Sequence, residues 1–360
     1  MRAALMRNVG DDKLEVVDDI TVADPGPGEV KVKIECTGVC HSDLSGLRGV
    51  IPQPPPAVLG HEGAGQVIGV GKGVTSVSEG DKVIVAWSPP CGNCVFCVDH
   101  KSPHLCSNIQ MIMGATPHFN QGGTPIFGFA GAGTFAECCT LPEQAVIKID
   151  ADIPMEVASL IGCAVMTGVG AAINTAQVQP GSNCIVYGCG GVGISVIQGC
   201  KVAGAANIVA VDLVESKHDD AKRFGATHAC TPDQVDALKG ELTDSQGFDY
   251  AFEAIGLPTT MRAAFDIARR GGTVTIVGVG RMDQMIEFNA FELFYLEKKF
   301  VGSYYGSADV RSDFHRILRL WRSGALDLEG MITKRIKLDD INDAFGAMER
   351  GEVIRQVIEM

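Results

Sequence analysis

The sequence predicts an α/β protein of two unlike domains: a mostly β domain and a doubly wound parallel sheet. Three observations carry that expectation. At 360 residues the chain exceeds what one hydrophobic core usually serves. Up to about Asp150 it runs in short β-type segments broken by Pro and Gly. Beyond Pro154 it alternates apolar runs with helix-length segments, the pattern of parallel strands covered on both faces.

In the first half, residues 30–34, 65–70, 82–86 and 135–141 read as strands, with turn clusters between them. Pro52, Pro54, Pro55 and Pro56 mark a loop, because proline removes a backbone donor and fixes φ. In the second half the expected strands are 184–187, 208–212, 249–253, 273–277 and 300–304, and a last strand is expected within 353–360.

Composition narrows the function. A net charge of -13, with no run of Lys and Arg to track a phosphate backbone, argues against nucleic acid. Residues 1–13 carry Asp11 and Asp12 and no apolar signal-like core, so a cytoplasmic protein is expected. The most apolar stretch, 160–173, is shorter than the roughly 18 residues of a membrane span, so no membrane partner is expected. Thirteen cysteines, an odd number, point to reduced thiols and metal ligands rather than a disulfide framework.

Gly188-Cys189-Gly190-Gly191-Val192-Gly193 follows the expected strand 184–187 and precedes an apolar helix expected to begin near Ile194. Glycines there permit a tight turn and the close approach of a pyrophosphate to free helix N–H groups. Asp212 ends the next strand, where a carboxylate accepts both ribose hydroxyls of an adenosine; NAD is the cofactor implied.

Cys91, Cys94, Cys97 and Cys106 form a second constellation. Successive C-x-x-C steps turn thiolates to one side of a loop, and a fourth Cys closes a tetrahedral sulfur site with no open position, which suits a structural zinc. Cys40, His61 and Cys163 are each ambiguous alone, since a lone Cys or His is most often a core residue.

Taken in order, Gly-Val-Cys-His-Ser-Asp (38–43), Gly-His-Glu-Gly-Ala-Gly (60–65), the clustered cysteines, Gly-Cys-x-x-x-Thr-Gly (162–168) and the glycine loop closely resemble the zinc-containing medium-chain alcohol dehydrogenases. The likeness runs in register over nearly the whole chain. It implies a Rossmann domain at 165–304 and a GroES-like catalytic domain formed by 1–164 and 305–360.

The same resemblance implies a catalytic zinc on Cys40, His61 and Cys163, giving two zinc ions per chain. Asp43 matches the carboxylate that orients His61, Glu62 the acid behind the metal, Ser42 the hydroxyl that takes the alcohol proton, and Trp87 an aromatic wall of the substrate pocket. Lys217 matches a basic group beside the adenosine ribose, His41 and Arg355 match pyrophosphate contacts, and Thr167 and Val277 flank the nicotinamide. A homodimer is implied, pairing through an edge strand at 300–305.

Two departures stand out. Eight residues separate Cys97 from Cys106 where the family usually has seven, so a local bulge is expected. Ser45 occupies the place of the family's relay histidine, which leaves His41, a bound water or the ribose as terminal proton acceptor.

The reaction implied is reversible hydride transfer between an alcohol and NAD. A thiol-dependent formaldehyde dehydrogenase is the alternative, because the loop at 111–133 resembles that of thiol-dependent relatives too. A catalytically silent, zinc-stapled structural or redox-sensing protein is a remote third reading.

Overall fold

A computed structural model describes residues 1–114 and 116–360, apart from the side chain of Gln110. Ala115, within the loop expected at 111–133, lies outside the described residues. The chain forms two compact units: Met1–Cys163 with Asp309–Arg319 and Leu328–Met360, and Ala164–Ala308 with Leu320–Asp327. The return expected at 305 therefore falls at Asp309. Leu320–Asp327 joins the second unit, where the Gln198 side chain accepts from Asp327 N–H at 2.7 Å.

The second unit is built on six parallel strands in the lateral order His228–Cys230, Asn207–Val211, Asn183–Tyr187, Phe248–Glu253, Ala268–Ile276, Lys299–Gly302. This is the doubly wound order, reversing between Asn183–Tyr187 and Phe248–Glu253, and such a reversal opens a ligand crevice at the carboxyl ends of the strands. Cys184, Ile185 and Val186 have no exposed surface, as expected of a strand buried on both faces.

Two details differ from expectation. The helix after the glycine loop spans Gly191–Val202 rather than starting near Ile194, because Gly190 already has the extended backbone of an N-cap. His228–Cys230 was not expected as a strand; three residues at a sheet edge, one of them His, give no apolar run to read.

In the first unit, Glu29–Val39 is the central strand of a seven-stranded sheet, antiparallel to Glu62–Val70, Cys138–Pro142 and Arg355–Glu359. Its Val30, Val32 and Ile34 point into the core while Lys33 is exposed, the alternation of a strand with one wet face. The register sets Gly38 opposite Glu62 and Val39 opposite Gln356. That brings Glu62 and Arg355 to the two flanks of one strand end.

The apolar stretch expected at 160–173 belongs to a longer helix, Met155–Thr175, which is long and apolar enough to cross a membrane. Of that window 83% is buried inside the protein, which is the behaviour of a core helix.

Candidate active site

The helix His41–Leu47 starts immediately after Cys40, and Asp43 in its first turn organises what surrounds it. Asp43 Oδ2 accepts the Cys40 N–H at 3.1 Å; Oδ1 accepts the Gly60 N–H at 3.1 Å and faces His61 Nδ1 at 2.8 Å. One buried carboxylate thus fixes the backbone of one candidate ligand and the ring of another. Burial pushes the Asp43 carboxyl above its ordinary value, with the His61 ring opposing. For His61 burial acts downward, and Asp43 more than offsets it, holding the ring well above the usual range.

Cys163 lies on a π-helical turn, Ile161–Val165, inside the long helix. Such turns displace one residue from the regular helical face and recur at functional sites. The ligand atoms of Cys40, His61, Glu62 and Cys163 all lie within 4.8 Å of one another, and all four residues are buried. A hydrogen bond between the two sulfurs holds Cys40 well below, and Cys163 well above, the ordinary thiol value. Two thiols and an imidazole are the mixed sulfur and nitrogen donor set that zinc prefers. Ser42 Oγ stands 3.7 Å from Cys40 Sγ.

Behind the cluster, Arg355 Nη2 lies 3.4 Å from Glu62 Oε1, and Nη1 donates to Val39 O at 3.1 Å. Gly38 makes this possible, since a Cβ there would collide with the Glu62 carboxylate. Burial pushes Glu62 up to about 7 although Arg355 pulls it down. Arg355, expected at a pyrophosphate, is 4% exposed and serves here as the partner of Glu62. His41, expected at the same phosphate, is exposed.

Two aromatic rings meet the His61 ring edge-on: Trp87 at 6.4 Å between centroids and Phe129 at 5.5 Å. Trp87 was singled out from the sequence. Phe129 was not, because no motif surrounds it.

Cys91, Cys94, Cys97 and Cys106 gather as their spacing predicted. Sulfurs on a tetrahedron about 2.3 Å from a central zinc are about 3.8 Å apart. The observed separations are 3.9 Å for Cys91–Cys97, 3.5 Å for Cys94–Cys97 and 3.8 Å for Cys94–Cys106, so the cage fits zinc. Cys91 Sγ also accepts from Cys94 N–H at 3.3 Å and from Asn108 Nδ2 at 3.4 Å, contacts that favour thiolate. Burial acts upward on Cys94, yet N–H and side-chain donors outweigh it and bring the thiol down to about 5. A left-handed Lys101 and the 3-10 turn Pro103–Leu105 occupy the extended spacer before Cys106.

In the second unit, Gly188 has φ +96°, open to glycine and strained for other residues, and a Cβ on Gly193 would strike the Gly188 carbonyl. Gly190 is the N-cap, and Gly191, Val192 and Gly193 form the first turn of the helix. Asp212 accepts from Cys189 N–H at 2.8 Å and Val214 N–H at 2.9 Å, which pins the acid beside the loop, and Lys217 Nζ sits 3.6 Å from it. Leu213 next to it is 79% exposed. The Thr167 hydroxyl is buried with no hydrogen-bond partner among the described residues; Val277 is buried, and its N–H donates to Glu253 O at 2.8 Å.

Two family models match the chain: one described as an alcohol dehydrogenase GroES-like domain over residues 26–151, the other as a zinc-binding dehydrogenase over residues 191–323. An S-(hydroxymethyl)glutathione dehydrogenase of Escherichia coli O139:H28 (strain E24377A / ETEC) is 41% identical over 356 residues, 96% of each chain. The alcohol dehydrogenase class-3 of Drosophila melanogaster is 40% identical over 359 residues, 96% of this chain and 94% of its own. Among solved structures, the benzyl alcohol dehydrogenase of Acinetobacter calcoaceticus matches with a TM-score of 0.91 at 31% identity, over 100% of this chain and 99% of that one. An alcohol dehydrogenase zinc-binding domain protein from Burkholderia ambifaria matches with a TM-score of 0.93 at 29% identity, over 100% and 98%.

Proposed function

The chain belongs to the zinc-binding alcohol dehydrogenase family, and from that membership we propose that it oxidises uncharged, apolar alcohols, aromatic primary alcohols among them. It is a zinc- and NAD-dependent oxidoreductase. Cys40, His61 and Cys163 would hold a zinc ion which, when bound, would supply the Lewis acidity that makes an alcohol hydroxyl more acidic, and NAD would supply the hydride acceptor.

The chain's own residues do the remaining work. Cys40 and Cys163 bring negative charge that balances the metal, while Asp43 holds the His61 ring in one orientation and leaves Nε2 as its ligating atom. Ser42, beside Cys40, accepts the hydroxyl proton and passes it on. With Ser45 beyond it instead of a base, the onward acceptor is a water or the ribose. Arg355 faces the Glu62 carboxyl behind the ligands and opposes, without overcoming, the upward push of burial on its pKa. Gly188 to Gly193 would hold the pyrophosphate of NAD on bare helix N–H groups and Asp212, with Lys217 alongside, would hold the ribose hydroxyls, while Thr167 and Val277 would serve the nicotinamide. His41 is exposed at the start of its helix.

The observation that carries the substrate class is the pair of rings, Trp87 and Phe129, edge-on to His61. No Lys or Arg occurs from Ser102 to Ile147, the segment that includes Cys106 and Phe129. A glutathione adduct carries carboxylates that call for a cationic anchor. The thiol adduct remains the second reading because the relatives at 41% identity act on S-(hydroxymethyl)glutathione. Turnover of benzyl alcohol is measured against formaldehyde with added glutathione: a kcat/KM higher for the aromatic alcohol is expected, and activity strictly dependent on the thiol would overturn the assignment.

Quaternary structure and location follow the same reading: a homodimer in the cytoplasm. Among the described residues the edge strand Lys299–Gly302 pairs on one side only, with Ala268–Ile276, and the neighbouring helix Ala290–Leu296 exposes Phe291 (68%) and Phe294 (79%). An open edge beside exposed aromatic rings supports pairing with a second copy.

A further inference from the structure

At the carboxyl end of Phe248–Glu253, where the strand order reverses, stands a carboxylate that none of the steps above uses. Glu253 has no exposed surface. Its Oε1 accepts three donors: Ile255 N–H at 3.0 Å, Gly256 N–H at 2.8 Å and Thr260 Oγ1 at 2.7 Å. Its backbone carbonyl accepts two more, Val277 N–H at 2.8 Å and Gly278 N–H at 2.9 Å. One residue therefore ties the turn at 254–256 to the segment at 277–278. Gly278 closes the arrangement, since a Cβ there would lie 2.7 Å from Glu253 Oε2.

Burial of this acid needs a reason. Oε2 is buried without a hydrogen-bond partner among the described residues, and a buried carboxylate served only by neutral donors is costly. An apolar side chain would serve the strand's core better. What the carboxylate gains is the shape of the turn, and that turn faces the glycine loop: Ala254 N–H donates to Tyr187 O at 2.9 Å, and a Cβ on Gly188 would lie 2.7 Å from Ile255 Cγ1. Ile255 and Val279 are left 46% and 59% exposed, apolar surface that bounds the same crevice.

We propose that Glu253 is a positioning residue for the cofactor, its carboxylate and carbonyl holding the 254–256 turn and the 277–278 segment in the arrangement that receives NAD. This rests on the reading of the glycine loop and Asp212 as the NAD site. Glu253 touches no reacting atom, so its removal weakens cofactor binding and raises KM for NAD more than it lowers kcat at saturation.

NADH binding to the purified, zinc-loaded enzyme is measured by fluorescence titration for wild type, Glu253→Ala and Glu253→Gln, with zinc content and Tm in parallel. The alanine variant is expected to raise Kd for NADH at least ~10-fold, equivalent to ~1.4 kcal/mol. Glutamine keeps the acceptor oxygen and should restore Kd to within ~3-fold of wild type, since the ties to Oε1 are ordinary hydrogen bonds. Should the alanine variant not fold, Thr260→Val removes one of the three donors without opening a cavity and should raise Kd by ~3-fold, the size of one such bond. An unchanged Kd with a lowered Tm, or a glutamine variant as defective as alanine, overturns the proposal. A wild-type enzyme that binds no NADH would instead overturn the underlying cofactor assignment.

Discussion

Asp43 Oδ1 and His61 Nδ1 are 2.8 Å apart with both side chains buried, so the tautomer and tilt of a candidate zinc ligand are set by a residue that cannot itself reach the metal. Loss of such a partner typically costs 10- to 100-fold in metal affinity. Asp43→Asn should therefore surrender one zinc to a chelator at roughly that lower threshold while the second ion stays. Cys163→Ala should lose about one of two zinc ions and all activity while remaining folded, and Cys94→Ala should lower Tm. Metal analysis after dialysis reads both ions; retention of two zincs by Cys163→Ala would remove it from the ligand set.

NAD should be preferred to NADP by at least ~10-fold in kcat/KM. A 2'-phosphate about 4 Å from Asp212 would meet a like charge costing about 1 kcal/mol in water and about 4 at an effective dielectric of 20. Each 1.4 kcal/mol is about tenfold in affinity. Lys217 at 3.6 Å from Asp212 softens the repulsion without cancelling it. Asp212→Ala should narrow the preference; equal efficiency with both cofactors in the wild type would place the acid elsewhere.

Ser42→Ala should lower kcat by roughly 10² to 10⁴, the usual range for a lost general acid-base group, with zinc content unchanged. Ser45→His should raise alcohol oxidation below about pH 8, where an added imidazole still accepts protons. The measurement is kcat under conditions that show a deuterium isotope effect on hydride transfer. A Ser42→Ala enzyme as fast as wild type would mean that the proton leaves by another route.

Light scattering should report twice the 38.0 kDa chain mass. Gly302→Pro, at a position of the edge strand whose N–H faces away from Ala268–Ile276, removes a donor from the open edge and should shift the protein toward monomer. A monomeric wild type refutes the pairing.

What could be read directly from the sequence was chemistry confined to short segments. The Cys91, Cys94, Cys97 spacing makes one side of a loop sulfur-rich wherever that loop lies, and glycines between a strand and a helix admit a phosphate through local backbone geometry alone. Alternating apolar runs likewise announced a parallel sheet, because both faces of such strands must be dry. Even so the start of the helix was misplaced, since a glycine N-cap leaves no polar side chain to mark it.

Cys40, His61 and Cys163 had no local signature that joined them, and only resemblance to a family assembled them. Their meeting was decided by the packing that brings a π-helical turn carrying Cys163 to the strand Glu62–Val70. The placement of Arg355 was decided the same way: spacing gives no hint that it faces Glu62. The two flank Glu29–Val39 because the register sets Gly38 against Glu62 and Val39 against Gln356, and a slip of one residue in either pairing would turn the side chain to the opposite face. Residue types set what each side chain can do, while strand register and packing, which act between distant parts of the chain, decide which side chains do it together.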